Sequence, residues 1–176
     1  MYANEKHVVE RPSYSQIISQ RISEDNGQSW GEEIWVAYQA GHGSSRPGMP
    51  VWTRMGNGKY IVAYEVCGPE KCNVHYKISK DGYAWPLGLG ITIPDQKGGP
   101  FITSLTNGNL LVTSNSGNLS VSTDFGSHWK RMANIWPETF WGSLYQTGQN
   151  EIAALNSPFR KEGGNNIQIR FGEIIL

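Results

Sequence analysis

Short apolar runs separated by Gly, Asn, Asp and Pro follow one another along this chain. Runs of this length with period-two alternation predict β-strands rather than helices. In both of the clearest groups of runs, a proline precedes an Asn-Gly hairpin signal by seven residues, at Pro50 and again at Pro100. The two groups predict a repeated four-stranded unit, with strands at 51–55, 60–66, 73–79 and about 88–93, and then at 101–105, 109–114, 118–123 and about 130–134.

The same pattern is incomplete at both ends of the chain. Residues 1–5, 16–23 and 33–38 predict the last three strands of a preceding unit. Residues 140–145, 151–156 and 166–176 predict three strands of a following one. The chain therefore divides into a part unit (1–39), two whole units (40–94 and 95–135) and a further part unit (136–176), about three and a half in all.

A short polar phrase, Ser-x-Asp-(x)-Gly-x-x-Trp, occurs three times and joins the third and fourth strands of a unit. Its Asp is expected to accept backbone N–H bonds, its Gly to adopt a positive φ, and its Trp to cover the turn with apolar surface. The copies begin 56 and then 43 residues apart, a spacing typical of β-propeller blades. They run over 23–30, 79–85 and 122–129, the middle copy being one residue shorter.

These three phrases resemble the Asp-box of the sialidase-like β-propellers. The resemblance implies an all-β fold, a sialidase-like β-propeller with Asp-box repeats, of which this chain supplies about three and a half blades of an expected six. An open part-ring leaves sheet faces and strand edges exposed. We therefore expect either a piece of a longer chain or self-association through the open edges.

Composition narrows the class of partner. The formal net charge is zero and 17% of residues are charged, which gives no electrostatic basis for binding nucleic acid or an anionic membrane. No apolar run approaches the length of a bilayer span, and the first residues contain no apolar core of a secretion signal. Phosphate-binding and dinucleotide-binding motifs are also absent from the sequence, so no cofactor is expected.

Glu65 is the leading candidate for chemistry. It lies near the end of the apolar strand 60–66, on the same face as Ile61 and Ala63 by alternation. The second strand of a blade is covered on both faces, so a carboxylate there is costly unless it is paired or used. The alternative is a Glu that forms a salt bridge with an arginine of the neighbouring blade.

The phrases around Glu65 resemble those of the exo-arabinanases of glycoside hydrolase family 93. They are 46–51 (Arg-Pro-Gly-Met-Pro-Val), 57–60 (Asn-Gly-Lys-Tyr), 64–68 (Tyr-Glu-Val-Cys-Gly) and 74–79 (Val-His-Tyr-Lys-Ile-Ser). The resemblance implies cleavage of α-1,5-linked L-arabinan with retention, a polysaccharide partner, an extracellular or periplasmic full-length parent, and Glu65 as nucleophile. The family's acid/base Glu is expected in a Trp-Glu-Pro phrase, which residues 1–176 lack.

A retaining glycosidase needs a second carboxyl group about 5–5.5 Å from the nucleophile. Glu5 is the one other carboxylate that the blade plan places at an equivalent strand end, and it is a weak candidate for acid/base. In a propeller, first strands start and second strands end around the mouth of a central funnel. The blade plan places four candidates for substrate contact near that mouth: Arg46, Asn115, Trp141 and Arg160. The alternatives are a solvated loop for Arg46 and packing between blades for Trp141.

Two other functions stay open at this point. A sialidase is opposed by the absence of an Arg-Ile-Pro phrase, and by Tyr64 and Glu65 pointing to opposite faces of one strand. A non-catalytic carbohydrate-binding propeller is favoured if no second carboxylate reaches Glu65.

Cys67 and Cys72 flank a four-residue loop and face each other at disulfide distance if the strands form a hairpin, although two free thiols are the alternative. With His75 nearby, they still lack a further ligand for zinc, so no metal site is expected.

Overall fold

The computed structural model describes residues 2–7, 16–38, 46–68, 71–136, 140–158 and 167–175, which form strands, turns and bends. The strands group into four antiparallel sheets. Sheet 1 contains β1 (Tyr2–His7), β2 (Gln16–Arg21) and β3 (Ile34–Ala37), and sheet 2 contains β4 (Arg46–Arg54), β5 (Tyr60–Cys67), β6 (Cys72–Ser79) and β7 (Ile91–Lys97). Sheet 3 contains β8 (Phe101–Ser104), β9 (Leu110–Thr113), β10 (Asn118–Ser122) and β11 (Lys130–Asn134), and sheet 4 contains β12 (Phe140–Gln146), β13 (Glu151–Pro158) and β14 (Gln168–Glu173).

The predicted sequence of strands is confirmed, with two corrections in sheet 2. β4 begins at Arg46 rather than at residue 51, because its pairing with β5 continues across a bulge between Gly48 and Val51. The fourth strand is β7, not 88–93, because Gly88 and Gly90 have φ of +79° and +74° and turn the chain before it. Sheet 2 thus extends to residue 97, three residues past the boundary drawn from the sequence.

The sheets stack face to face and bury three successive cores. Sheets 1 and 2 enclose Ile18, Val36, Ala37, Val62 and Tyr64. Sheets 2 and 3 enclose a second cluster, which includes Ile61, Ala63, Val74, Ile102, Leu110 and Val112. Sheets 3 and 4 enclose a third, which includes Leu111, Leu119, Trp136, Leu144, Ile152 and Ala154.

Alternation along β5 explains how one strand serves two cores. Ile61 and Ala63 lie in the core against sheet 3, whereas Val62 and Tyr64 lie in the core against sheet 1. The first strands of neighbouring sheets also contact each other, β4 with β8 and β8 with β12. Successive sheets related in this way are the blades that the repeated pattern predicts.

The three Ser-x-Asp phrases form hydrogen-bonded turns. In the third turn, the Ser122 hydroxyl donates to Asp124 Oδ1 (2.8 Å) and accepts from the Gly126 amide (2.8 Å), while the His128 amide donates to Asp124 Oδ1 (2.9 Å). The first turn repeats these bonds around Asp25. The shorter middle turn keeps them with its glycine one position earlier, at Gly82. The pKa of Asp25 is lowered to about 2, first by a hydrogen bond from the Ser29 hydroxyl, and the pKa of Asp124 to about 2, first by the His128 amide and then by its side chain.

The two faces of sheet 4 differ in exposure. Leu144, Ile152 and Ala154 pack against sheet 3. On the other face Tyr145, Ala153 and Phe171 lie in register, as do Leu155 and Ile169. Tyr145 is 69% exposed and Phe171 77% exposed. Sheet 4 therefore carries an apolar face open to solvent. Among the described residues there is no long apolar helix that could cross a membrane.

Candidate functional site

Glu65 lies where the sequence places it, near the end of β5 in sheet 2. It is half-buried and sits in register between Gly48 of β4 and Val74 of β6. It follows Ile61 and Ala63 at two-residue spacing, so its side chain starts from the face that packs against sheet 3. Tyr64 is fully buried in the core against sheet 1. The two neighbours therefore serve opposite faces, as alternation predicts.

The strand opposite Glu65 is bulged. Gly48 pairs with Glu65 and Val51 pairs with Ala63, so β4 has two residues where β5 has one. Met49 occupies the bulge with a φ of +54°, which a non-glycine residue seldom adopts, and its side chain is 36% exposed. Bulges re-aim a side chain and occur beside active sites. Here the bulge turns the Met49 thioether towards the start of sheet 3.

A disulfide joins the ends of β5 and β6 next to Glu65. Cys67 and Cys72 are bonded, with their Cα atoms 3.9 Å apart. A Glu65 carboxylate oxygen and the two sulfur atoms lie within 4.8 Å of one another. The bonded sulfurs offer no thiolate, so this group supplies a single carboxylate rather than a three-ligand metal site. The Cys72 carbonyl also accepts a hydrogen bond from the Gly98 amide (2.9 Å), which ties the hairpin to the next segment.

Gly98 and Gly99, just before sheet 3, bring together side chains from three sheets. A Cβ at Gly98, where φ is +75°, would come within 2.8 Å of the Asn115 Cβ. A Cβ at Gly99 would overlap the Trp141 ring and lie 2.9 Å from the Met49 sulfur. Because neither glycine has a side chain, Asn115 can pack against Gly98, and Met49 and Trp141 can pack against Gly99. Asn115 Oδ1 is buried and has no hydrogen-bond partner among the described residues.

The remaining predicted site residues fall at the edge of this region or outside it. Arg46 begins β4, pairs in register with Cys67, and is exposed. Glu5 lies on β1 opposite Ile18, and its side chain is outside the described part of the chain. Arg160 is outside the described residues altogether. Sequence reasoning missed Met49 and the Gly98–Gly99 pair, although a Gly-Pro signal at 99–100 marks the same place in the repeat.

A second group of titratable side chains lies on the opposite face of β5. The Tyr64 hydroxyl donates to the Leu89 carbonyl (2.7 Å), and His75 Nδ1 lies 3.1 Å from the same oxygen. Burial raises the pKa of Tyr64 and lowers the pKa of His75. Lys77 donates to the carbonyls of Val36 (2.7 Å) and Pro86 (2.6 Å), and burial lowers its pKa to about 8. The bond from Lys77 to Val36 joins sheets 1 and 2, and the others tie β5 and β6 to the segment that precedes β7, so this group is structural.

Two cavities lie away from Glu65, beside the first and third turns. One, of about 450 Å³, is lined by Ile22, Glu24, Ser29, Gly31, Glu32, Ile34 and Tyr83. The other, of about 330 Å³, is lined by Val121, Thr123, Asp124, His128, Trp129, Lys130, Met132 and Ile175. Neither contains a residue that the sequence nominates for chemistry.

Comparison with solved structures identifies the fold. The Hadza microbial sialidase Hz136 superposes with a TM-score of 0.68 at 13% identity, over 92% of this chain and 40% of the sialidase. The NanB sialidase of Streptococcus pneumoniae gives 0.59 at 14% identity, over 89% and 26% of the two chains. A protein of unknown function from Dyadobacter fermentans gives 0.56 at 15% identity, over 77% and 52%.

The fold is a partial sialidase-like β-propeller. The chain spans about half or less of the length of these three structures. No protein-family profile matches the sequence, and no curated protein does. Identities this low establish a fold that glycoside hydrolases also use, and they leave the substrate to be argued from the site.

The groups at and beside Glu65 allow two kinds of chemistry. A half-buried carboxylate can attack or stabilise an anomeric carbon, and an exposed indole can stack on a sugar face. A retaining glycosidase also requires a second carboxyl group. The sequence predicts Glu5 for that role, and the side chain of Glu5 lies outside the described part of the chain. The site residues nominated from the sequence thus stay predictions, with their backbone positions now fixed for Glu65, Arg46, Asn115 and Trp141.

Proposed function

We propose that this chain is part of a retaining glycoside hydrolase that acts on an arabinan-type plant polysaccharide, with Glu65 as the nucleophile. The observation that carries the proposal is the placement of Glu65. It is a half-buried carboxylate at the end of a second blade strand, opposite a bulge, in a sialidase-like propeller. Backbone strain such as that of Met49 in this bulge clusters at active sites, which favours a functional role for the carboxylate opposite it.

The substrate class rests on the phrases around the site. Two of the four phrases that resemble family 93 exo-arabinanases, 46–51 and 64–68, lie on the paired strands β4 and β5, and the second contains Glu65. We also propose export of the full-length parent, because a disulfide beside the site is stable in oxidising compartments. The expected partner is polysaccharide, without nucleic acid or membrane.

The reaction proceeds in two steps. A Glu65 oxygen forms a bond to the anomeric carbon while the glycosidic C–O bond breaks and an acid donates a proton to the leaving oxygen. The group that acted as the acid is now a base and takes a proton from a water molecule. The water oxygen attacks the anomeric carbon and displaces Glu65. Two carboxyl groups suffice and no cofactor is used. Glu5, or a residue outside this sequence, is the proposed acid/base.

The test of the nucleophile does not require the acid. A 2,4-dinitrophenyl α-L-arabinofuranoside has a leaving group that departs without a proton, so the nucleophile alone should form the arabinosyl-enzyme. We expect intact-protein mass spectrometry to show the addition of one arabinosyl unit, located to the peptide that contains Glu65. Glu65→Gln should lose the adduct, and the control Glu151→Gln, an exposed residue of sheet 4, should keep it.

Linear arabinan and a sialoside are assayed on the same sample, with its mass in solution measured. Formation of the adduct on another residue, or its persistence in Glu65→Gln, contradicts the assignment. Turnover of the sialoside instead of arabinan would overturn the substrate class.

A second candidate is a non-catalytic carbohydrate-binding module. It is favoured by the absence of a Trp-Glu-Pro phrase from residues 1–176. Saccharide binding without an adduct from the activated arabinoside would select it.

A further inference from the structure

Trp141 and Met49 form a small exposed platform beside the candidate site. Trp141, on the innermost strand of sheet 4, is 44% exposed, and Met49, in the bulge of sheet 2, is 36% exposed. Both side chains reach the space over Gly99, which has no Cβ to displace them. An indole that is supported on one side and open on the other presents a flat apolar surface to solvent.

The platform is held in place at a local energetic cost. Met49 has a φ of +54°, a left-handed conformation that is unfavourable for a non-glycine residue. Any side chain at Gly99 would also overlap the ring of Trp141. Strain of this kind persists where the surrounding structure fixes it, and it concentrates at ligand sites. The arrangement is thus more specific than an ordinary exposed tryptophan.

The platform is connected to Glu65 through two short links. Gly48 pairs with Glu65, Met49 follows Gly48 in the chain, and Met49 and Trp141 meet over Gly99. Glu65 belongs to sheet 2 and Trp141 to sheet 4, with the start of sheet 3 between them. Neighbouring stacked sheets lie about 10 Å apart, so a ligand that reaches from sheet 2 to sheet 4 must be longer than one sugar ring.

We propose that Trp141, supported by Met49 and Gly99, is a stacking subsite for a sugar unit of a chain whose neighbouring part lies at Glu65, so that the site takes an oligosaccharide of at least two units. This inference deepens the proposed function and rests on it for the location of the reacting unit. Gly99 is buried beneath the Trp141 ring and the Met49 sulfur, and the Asn115 side chain packs against Gly98, so the two glycines seat the platform.

The test is a binding series on the full chain with arabinofuranose and with α-1,5-arabino-oligosaccharides of two to five units, by isothermal titration calorimetry. We expect the affinity of the wild-type chain to increase with length. Trp141→Ala should lose about tenfold in affinity for the longer ligands, equivalent to about 1.4 kcal/mol, so that its affinity no longer rises with length. Trp141→Phe should retain part of the gain because a smaller ring still stacks.

The matched control is Trp35→Ala, because Trp35 is 53% exposed on the outer strand of sheet 1 and should not affect binding. Thermal unfolding of each variant checks that it is folded. Equal affinities in Trp141→Ala and the wild type, or no dependence on length, overturn the subsite. The arabinosyl adduct at Glu65 is an independent readout of the proposed function.

The two readouts separate the two ideas. An adduct with no effect of Trp141→Ala contradicts the subsite alone. Binding that depends on length and on Trp141, without an adduct, contradicts the nucleophile and leaves the subsite intact. Absence of binding at every length contradicts both.

Discussion

The Lys77 ammonium group donates a hydrogen bond to the Val36 carbonyl, 2.7 Å away, across the boundary between sheets 1 and 2. Burial lowers the pKa of Lys77 from 10.5 to about 8. Between those pH values the unfolded chain holds a proton that the folded chain lacks, so the free energy of unfolding rises with pH. We expect a slope of at most about 1.4 kcal/mol per pH unit, measured by urea unfolding between pH 8 and 9.5.

Lys77→Met should abolish that slope, which identifies its source. The pH range of the measurement ends below 10 because the pKa values of Tyr64 and Tyr76 are raised in the folded chain. Near pH 10 these two tyrosines make the free energy of unfolding fall with pH, opposite to the effect of Lys77. A wild-type slope that survives in Lys77→Met would assign the effect to another group.

Gly126 is closely packed, so even the smallest side chain at this position should destabilise the protein. Its φ is +86°, and a Cβ there would lie 3.2 Å from the Cδ1 atoms of Ile61 and Ile78. We expect Gly126→Ala to lower the free energy of unfolding by about 2–4 kcal/mol, from backbone strain and overpacking together. Gly88→Ala is the control for strain alone, since Gly88 has a φ of +79° with nothing within 4 Å of an added Cβ.

The control Gly88→Ala should lower the free energy of unfolding by about 1–2 kcal/mol. Similar losses in both variants, compared by chemical unfolding, would show that contact with the isoleucines contributes nothing.

Acid should weaken the turns through their aspartates. Hydrogen bonds from the amide and then the side chain of His128, and from Ser122, lower the pKa of Asp124 from 3.8 to about 2. The folded chain therefore stays ionised where the unfolded chain takes up a proton. The stabilisation is present above about pH 4 and is lost as the pH falls towards 2.

Asp124→Asn should reduce this acid sensitivity, as seen in thermal midpoints measured from pH 5 to pH 2. An unchanged profile in Asp124→Asn would refute the role of this turn.

The open face of sheet 4 predicts association of the purified chain. Phe171 is 77% exposed and lies in register with Ala153 and Tyr145. We expect Phe171→Ser to reduce both the apparent mass in light scattering and the fluorescence of an apolar dye. Leu87→Ser, which alters an 83% exposed leucine in a loop, should change neither. Equal behaviour of the two variants would exclude the sheet face as the cause.

Most of the fold could be predicted from the sequence because repeated strands and turns are local signals. The Asn-Gly hairpins and the Ser-x-Asp turns fix where strands begin and end. The prediction of a strand at 88–93 was wrong in its first half. Residues 87–90 (Leu-Gly-Leu-Gly) alternate like a strand, but Gly88 and Gly90 have positive φ and turn the chain there. Alternation in sequence does not distinguish a pleat from a pair of left-handed turns.

The candidate site could be predicted less completely. The face of Glu65 and the proximity of Cys67 and Cys72 follow from strand pairing, which the pattern supplies. The role of Met49 depends on a bulge, and a bulge is a property of register between two strands. The burial of Lys77 depends on contacts with sheet 1, which no local pattern of β6 encodes.

The bond between Cys67 and Cys72 affects how the protein should be produced. In the reducing cytosol of an expression host the two cysteines would be thiols, since disulfides persist in oxidising compartments. The hairpin end beside Glu65 would then depend on strand pairing and on the backbone hydrogen bonds from Gly68 to Lys71 and from Gly98 to Cys72. Material from a periplasmic or secreted preparation therefore differs covalently from cytosolic material at the candidate site, and the two are expected to differ in their saccharide affinity.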